Sequence, residues 1–186
     1  MDIEATLNTL LYGIQLKQTA RTGWAQRGVP DAESVADHSF GVAFVVVVLA
    51  RQLAPHLDEP LDLANALAMA VLHDLPEALT SDIPSPAWRL MPKEAKPQAE
   101  EEAMRRITGA VDGSERLLVL WHELKEGRTV EARLVHDADK IDLYLQALVY
   151  EQQSGNRRLE EFWQKPAAFH FPQAQALYEA LRQRRQ

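Results

Sequence analysis

The chain has 186 residues, 46% hydrophobic and 25% charged, with a net charge of -7, enough for one domain with a sizeable core. The acidic balance disfavours a sequence-independent grip on nucleic acid, which needs a basic face, and makes any anionic substrate dependent on a local cation or metal. With no cysteine present, disulfides and thiolate metal sites are excluded, and a metal would have to be held by His and carboxylate.

Helical periodicity dominates the chain. Residues 2–17 place Ile3, Leu7, Leu10, Leu11 and Ile14 on one face. Acids stand there where a secretory signal would carry its basic segment, so a cytoplasmic protein is expected. Residues 18–33 read as irregular, with Arg21, Trp24 and Arg27 among glycines and a proline. Ser34 is expected to cap a buried helix running to about Ala54. Its longest strongly apolar run, Val42 to Ala50, is too short to span a bilayer, and no membrane association is expected. Pro60 precedes a helix over roughly 61–80, and the proline-rich SDIPSPAWRLMP that follows reads as a loop. Residues 93–108 read as a polar, exposed helix. Ser114 and Thr129 are expected to cap helices that end at Gly127 and Gly155. A short helix over 158–164 and a last one opening at Pro172 complete an all-α bundle of about six to eight helices.

Three segments carry chemistry. In VLHDLPEALTSD, His73 and Asp74 are adjacent and Glu77 lies four residues after His73, which puts His73 and Glu77 on one helical face unless Pro76 breaks the helix. Charged groups at the end of an apolar helix need a partner; solvent and a metal ion both qualify. In ESVADHSFGVAFV, His38 stands where burial begins, a position where a lone histidine is more often a core residue bonded to a carbonyl. In ARLVHDADKIDLYLQALVYE, Val135, Asp139 and Asp142 share a face at three- and four-residue spacing. Each segment by itself has an ordinary structural explanation.

Together, the order His, His-Asp and a distant Asp resembles the HD-domain superfamily of metal-dependent phosphohydrolases. LKQTARTGW, ESVADHS, HDLPEALTSDIPSP and LVHDADKIDLYLQALVYE extend the likeness over nearly the whole chain and point to its 5′-deoxynucleotidase-like branch. The resemblance implies a single HD domain over residues 1–186 and one divalent ion (Co, Mn, Zn, Ni, Fe or Mg) held by His38, His73, Asp74 and Asp139. It implies that Glu77 handles the water or leaving-group proton, that Asp82 stands near the sugar, and that Arg21 contacts the phosphate. The family's tryptophan beside the sugar 2′ position directly follows its arginine. Here Thr22 and Gly23 intervene before Trp24, which puts strict deoxy selectivity in question. Lys140 is a further candidate for substrate charge, with solvation the alternative. His136 reads as a surface or supporting residue and His122 as a packing one, while His56 and His170 receive no role. Trp24, Trp88 and Leu90 are candidates for a base or sugar pocket, or for simple packing.

The reaction implied is release of phosphate from (deoxy)nucleoside 5′-monophosphates by a phosphoric monoester hydrolase, in a small-molecule enzyme that is a homodimer like others of the branch. Two alternatives stand. One is hydrolysis of a more highly charged nucleotide, a nucleoside triphosphate or guanosine tetraphosphate, for which Arg21, Lys140, Arg89 and Lys93 are the available cations. The other is a catalytically silent nucleotide sensor.

Overall fold

The computed structural model describes residues 2–109, 111 and 113–185, so Met1 and Gln186, the two ends of the expected domain, lie outside it. Among the described residues there is no strand, only an isolated bridge between Ala20 and Ser34. The helices are α1 (Ile3–Gln15), α2 (Thr22–Ala25), α3 (Val35–Leu53), α4 (Leu63–Leu72), α5 (Glu77–Thr80), α6 (Ser85–Trp88), α7 (Ala95–Thr108), α8 (Glu115–Glu126), α9 (Val130–Ser154), α10 (Glu160–Trp163) and α11 (Pro172–Arg185).

Local chemistry sets the long elements. Ser34 accepts from the Asp37 backbone N–H while Asp37 caps back onto Ser34, a reciprocal box that starts α3. Thr129 accepts from Ala132 N at the start of α9. Gly127 and Gly155 end α8 and α9 at φ of 67° and 62°, values that glycine adopts without a steric penalty. Ser114 precedes α8 as expected but makes no side-chain cap.

Helices α3, α4 and α9 form the centre, with α8 against α4 and α9, and α11 against α9 and α3. Val42, Val46, Leu49, Met69, Leu134, Ala138 and Ile141 fill the space between them. The span Val35–His56 is long and apolar enough to cross a membrane by length and composition alone; here its inner face is the middle of the bundle. Helix α7 is less exposed than its composition suggests, since Ala103, Met104 and Ile107 are buried.

Helix α1 turns its apolar face outward. It buries none of its residues, and Ile3, Leu7, Leu10, Leu11 and Ile14 all face outward. Ala5, Thr6, Thr9 and Tyr12 are its partly covered residues, and Thr9 Oγ1 donates to the Ile107 carbonyl at 2.7 Å. A second apolar surface lies on α3, where Phe40 and Phe44 stack in parallel at 6.4 Å and are 73% and 60% exposed.

Candidate metal centre

The site starts from α4, whose apolar sequence LANALAMAVL buries it. The chain leaves α4 at His73, turns, and resumes as α5 at Glu77. Pro76 lacks the N–H that a continuous helix would use there. The single helix expected over 61–80 is therefore two. The i, i+4 face gives way to a turn that nonetheless brings Asp74 and Glu77 to the wall of one cavity of about 370 Å³.

Helix α3 brings His38 beside that turn. The His38 and His73 rings lie 5.2 Å apart, and His38, His73 and Asp74 each present a ligand atom within 4.8 Å of the others. His73 Nδ1 lies 2.7 Å from the Ala70 carbonyl oxygen; a carbonyl only accepts, so the proton is on Nδ1. His38 Nδ1 lies 2.8 Å from Asp142 Oδ2. The two Nε2 atoms are buried and without a hydrogen-bond partner. They face carboxylates instead: His73 Nε2 is 3.1 Å from Asp74 Oδ2, and His38 Nε2 is 3.1 Å from Asp139 Oδ1 and 3.8 Å from Asp74 Oδ2.

Bare imidazole nitrogens aimed at carboxylate oxygens are unfavourable unless a proton or cation lies between them. Two imidazoles and two carboxylates suit a borderline divalent ion, with coordination positions left for other oxygens. Protons compete for the same place. Burial lowers His38, but the Asp139 and Asp142 carboxylates outweigh it and raise it to about 9. Burial likewise opposes charge on Asp74, yet His73, Arg21 and His38 hold it far below the usual carboxylate range.

Arg21 is fixed by its neighbours on both sides. Its backbone N–H donates to the Glu33 carbonyl at 3.0 Å. Next to it, Thr22 N donates to Asp82 Oδ2 and Thr22 Oγ1 to the Asp82 carbonyl, both at 2.7 Å. Ser81 reaches back through a φ of 58° to deliver Asp82 to that contact, a strained conformation for a non-glycine residue. The Arg21 guanidinium lies 3.1 Å from Asp74 Oδ2. Burial works against its charge, and the surrounding Asp74, Asp139, Asp82 and Glu77 more than restore it.

Glu77 is buried, and its Oε2 has no hydrogen-bond partner. Burial first, then the Asp74 and Asp82 carboxylates, push its carboxyl up to about 9. Burial and these carboxylates thus favour its protonated form, in a cavity shared with Asp74 and Asp139.

The cavity wall gathers Arg21, Trp24, Asp74, Glu77, Asp82 and Asp139, with His38 and His73 in contact with the carboxylates. Lys140 does not join them. One residue along a helix is a rotation of about 100°, and its Nζ instead donates to the Ala168 carbonyl at 2.8 Å. Trp88 and Leu90 do not line the cavity either, and Leu90 is 90% exposed. Trp24 does, but it packs against Tyr150 and Phe162 and donates its indole N–H to Glu33 at 2.8 Å. His136 faces His170, away from the cavity, and His122 bonds Glu101. Two cations missed in the sequence do line it. Arg27 is held by Glu161 and the Gly23 carbonyl, and Lys96 by Glu100. Asp142 was missed too, although its three-residue spacing from Asp139 was the signal.

Comparison with known proteins follows the same lines. A family model described as HD domain matches residues 14–176. The chain is 34% identical over 171 residues to the 5′-deoxynucleotidase HDDC2 of Homo sapiens, covering 90% of this chain and 79% of that one. It is 31% identical over 155 residues to the 5′-deoxynucleotidase hdd1 of Schizosaccharomyces pombe, covering 80% and 74%. Its fold matches the crystal structure of the PH0347 protein from Pyrococcus horikoshii OT3 with a TM-score of 0.79 and 35% identity, over 97% of this chain and 99% of that one.

Proposed function

The chain belongs to the HD domain family, and from that premise we propose a metal-dependent phosphohydrolase that releases phosphate from (deoxy)nucleoside 5′-monophosphates. The carrying observation is the convergence of two unpartnered imidazole Nε2 atoms on Asp74 and Asp139, in a cavity that also holds Arg21 beside Asp74 and the buried Glu77. The relatives named 5′-deoxynucleotidase support the substrate class.

We assign the metal to His38, His73, Asp74 and Asp139. When bound, a divalent ion neutralises phosphoryl charge and lowers the pKa of a bound water. The protein's own groups supply position and protons. Arg21, held at its own backbone by Glu33 and through the adjoining Thr22 by Asp82, offers a planar pair of donors matched to phosphate oxygens. Glu77 carries the proton that a leaving alkoxide needs. Asp82 holds the Arg21 loop through Thr22 and stands at the sugar end of the cavity. Trp24 is a wall whose polar atom is already engaged, which suits a sugar or base edge better than a specific hydrogen bond.

The charge inventory favours a monoester over a triphosphate or tetraphosphate. Lys140 is turned away, and Arg27 and Lys96 pair with Glu161 and Glu100, away from Asp74, so Arg21, 3.1 Å from Asp74 Oδ2, is the cation placed beside the converging carboxylates. The test is phosphate release from a panel of 5′- and 3′-nucleotides and triphosphates, each assayed with several divalent ions. Fastest release from 5′-monophosphates is expected, with deoxynucleotides favoured but not exclusive. Faster cleavage of 3′-monophosphates or cyclic dinucleotides would sink the substrate class even with the metal centre correct.

We propose in addition a cytoplasmic homodimer. The support is the uncovered apolar face of α1 and the Phe40–Phe44 stripe of α3, surfaces larger than isolated apolar residues and typical of association sites. Light scattering should give twice the chain mass, and Leu7→Glu or Phe44→Glu should weaken it. A monomer across a wide concentration range would refute the dimer.

A further inference from the structure

Gly41 sits inside α3, just under one turn after His38. Glycine within a helix is less favourable than alanine, so its place calls for a local cause. A Cβ on Gly41 would fall 2.0 Å from Asp142 Oδ1, 2.6 Å from Cγ and 3.0 Å from Oδ2. Helix α9 thus lays the Asp142 carboxylate against the bare backbone of α3, in space that any side chain at position 41 would occupy. From there Oδ2 reaches His38 Nδ1 at 2.8 Å, with the His38 side chain fully buried and that of Asp142 14% exposed.

A carboxylate accepts and does not donate, so this contact keeps a proton on Nδ1. Neutral imidazole has one N–H, and fixing it on Nδ1 leaves the Nε2 lone pair free. Nε2 is the atom that faces Asp139 and Asp74. We propose that Asp142 is a positioning residue for the metal centre, orienting His38 with Nε2 toward the ion, and that Gly41 is the clearance in α3 that admits it. The inference rests on the metal-centre reading above.

The same groups have a competing use. Glu33, His38 and Asp142 also present ligand atoms within 4.8 Å of one another, as a second ion on the Nδ1 side would require. Two observations oppose it. Glu33 already accepts from the Trp24 indole at 2.8 Å, and an imidazole serving ions on both nitrogens would have to lose both protons.

The experiment uses zinc as the probe on full-length wild type, Asp142→Asn and Gly41→Ala. Zinc per chain and affinity by chelator competition are read together with the melting temperature of the metal-free proteins. The protonation of His38 Nδ1 is read by long-range proton–nitrogen correlation at saturating zinc. Wild type should hold one zinc with Nδ1 protonated. Asp142→Asn can turn its amide toward Nδ1 and favour the wrong tautomer. Its zinc affinity should fall about 10- to 100-fold, the usual effect of losing a carboxylate behind a histidine ligand. Gly41→Ala removes no polar group, yet it should weaken zinc in the same direction by displacing the carboxylate.

Variants that melt lower but bind zinc within about twofold of wild type would make Asp142 a packing residue and overturn the proposal. Two zincs in wild type with one lost in Asp142→Asn would overturn it in favour of an ion at the Nδ1 side. A wild type that binds no zinc would fail the metal-centre reading first, and this inference with it.

Discussion

Helix α9 carries two carboxylate–imidazole pairs that look alike and are used differently. At one, Asp137 is fully buried and every contact closes: Oδ1 takes His170 Nδ1 at 2.8 Å, and the His170 and Phe171 backbone N–H groups reach the carboxylate at 2.9 Å. The ring's far side is partly exposed, where water can satisfy it. At the other, Asp142 holds His38 by the same nitrogen, but the far nitrogen is buried, bare and aimed at more carboxylates. The first pair is saturated and fastens the start of α11 to α9. The second is deliberately incomplete in its polar accounting, and that incompleteness marks the site.

The largest expected difference between the pairs comes from removing a ligand. Asp74→Ala should abolish both divalent-ion binding and phosphate release, because Asp74 Oδ2 is the oxygen that His73, His38 and Arg21 all approach. Elemental analysis and phosphate release on the same sample check this. Full activity of chelator-stripped protein with no metal added would contradict it.

Next in size is Glu77→Gln. Turnover should fall by ~10²–10⁴, the range for losing a general acid or base, with metal content unchanged, since Glu77 is not assigned as a ligand; loss of the ion would move it into the ligand set. The substitution has a second signature. Glu77 is raised from 4.5 to about 9, so the folded chain binds a proton that the unfolded chain releases. Its contribution to stability is therefore fully present below about pH 4.5 and is lost as pH rises toward 9. In chelator, Glu77→Gln should melt higher than wild type at pH 8, with the gap closing near pH 4. A gap that does not depend on pH would show that folding leaves the Glu77 carboxyl unshifted.

Arg21→Ala should cost less, about tenfold to a hundredfold in kcat/KM, as expected for a charge-assisted contact of ~1.5–3 kcal/mol, with the ion retained.

Much of this was legible from residue types with strong local rules. Ser34 announces the start of α3, Thr129 that of α9, and Gly127 and Gly155 the ends of α8 and α9, because caps are decided within a turn of chain. The grouping of His38, His73, Asp74 and Asp139 came from resemblance, since nothing local connects residues so far apart in sequence. The misreadings share one cause. Adjacency to Asp139 suggested a role for Lys140, but helical rotation sends it to Ala168. The leucine face of α1 is real, yet periodicity does not say whether a face meets the core or the outside. Asp142 and Gly41 require knowing that α3 and α9 touch at that point.

The smallest effect should come from the saturated pair, and it isolates what saturation does. Asp137→Ala removes the acceptor of the His170 ring and of two backbone N–H groups. Donors left without partners cost ~1–3 kcal/mol, and in a protein of this size each kcal/mol lowers Tm by about 2–4 °C. The expected drop is therefore a few degrees to about ten, with faster exchange of the amides at the start of α11. Metal content and kcat below the new transition should stay at wild-type values, because Asp137 contacts neither His38 nor the cavity wall. If Asp137→Ala instead lost its metal while melting normally, the two pairs on α9 would be coupled, and saturation would not be what separates a fastening from a site.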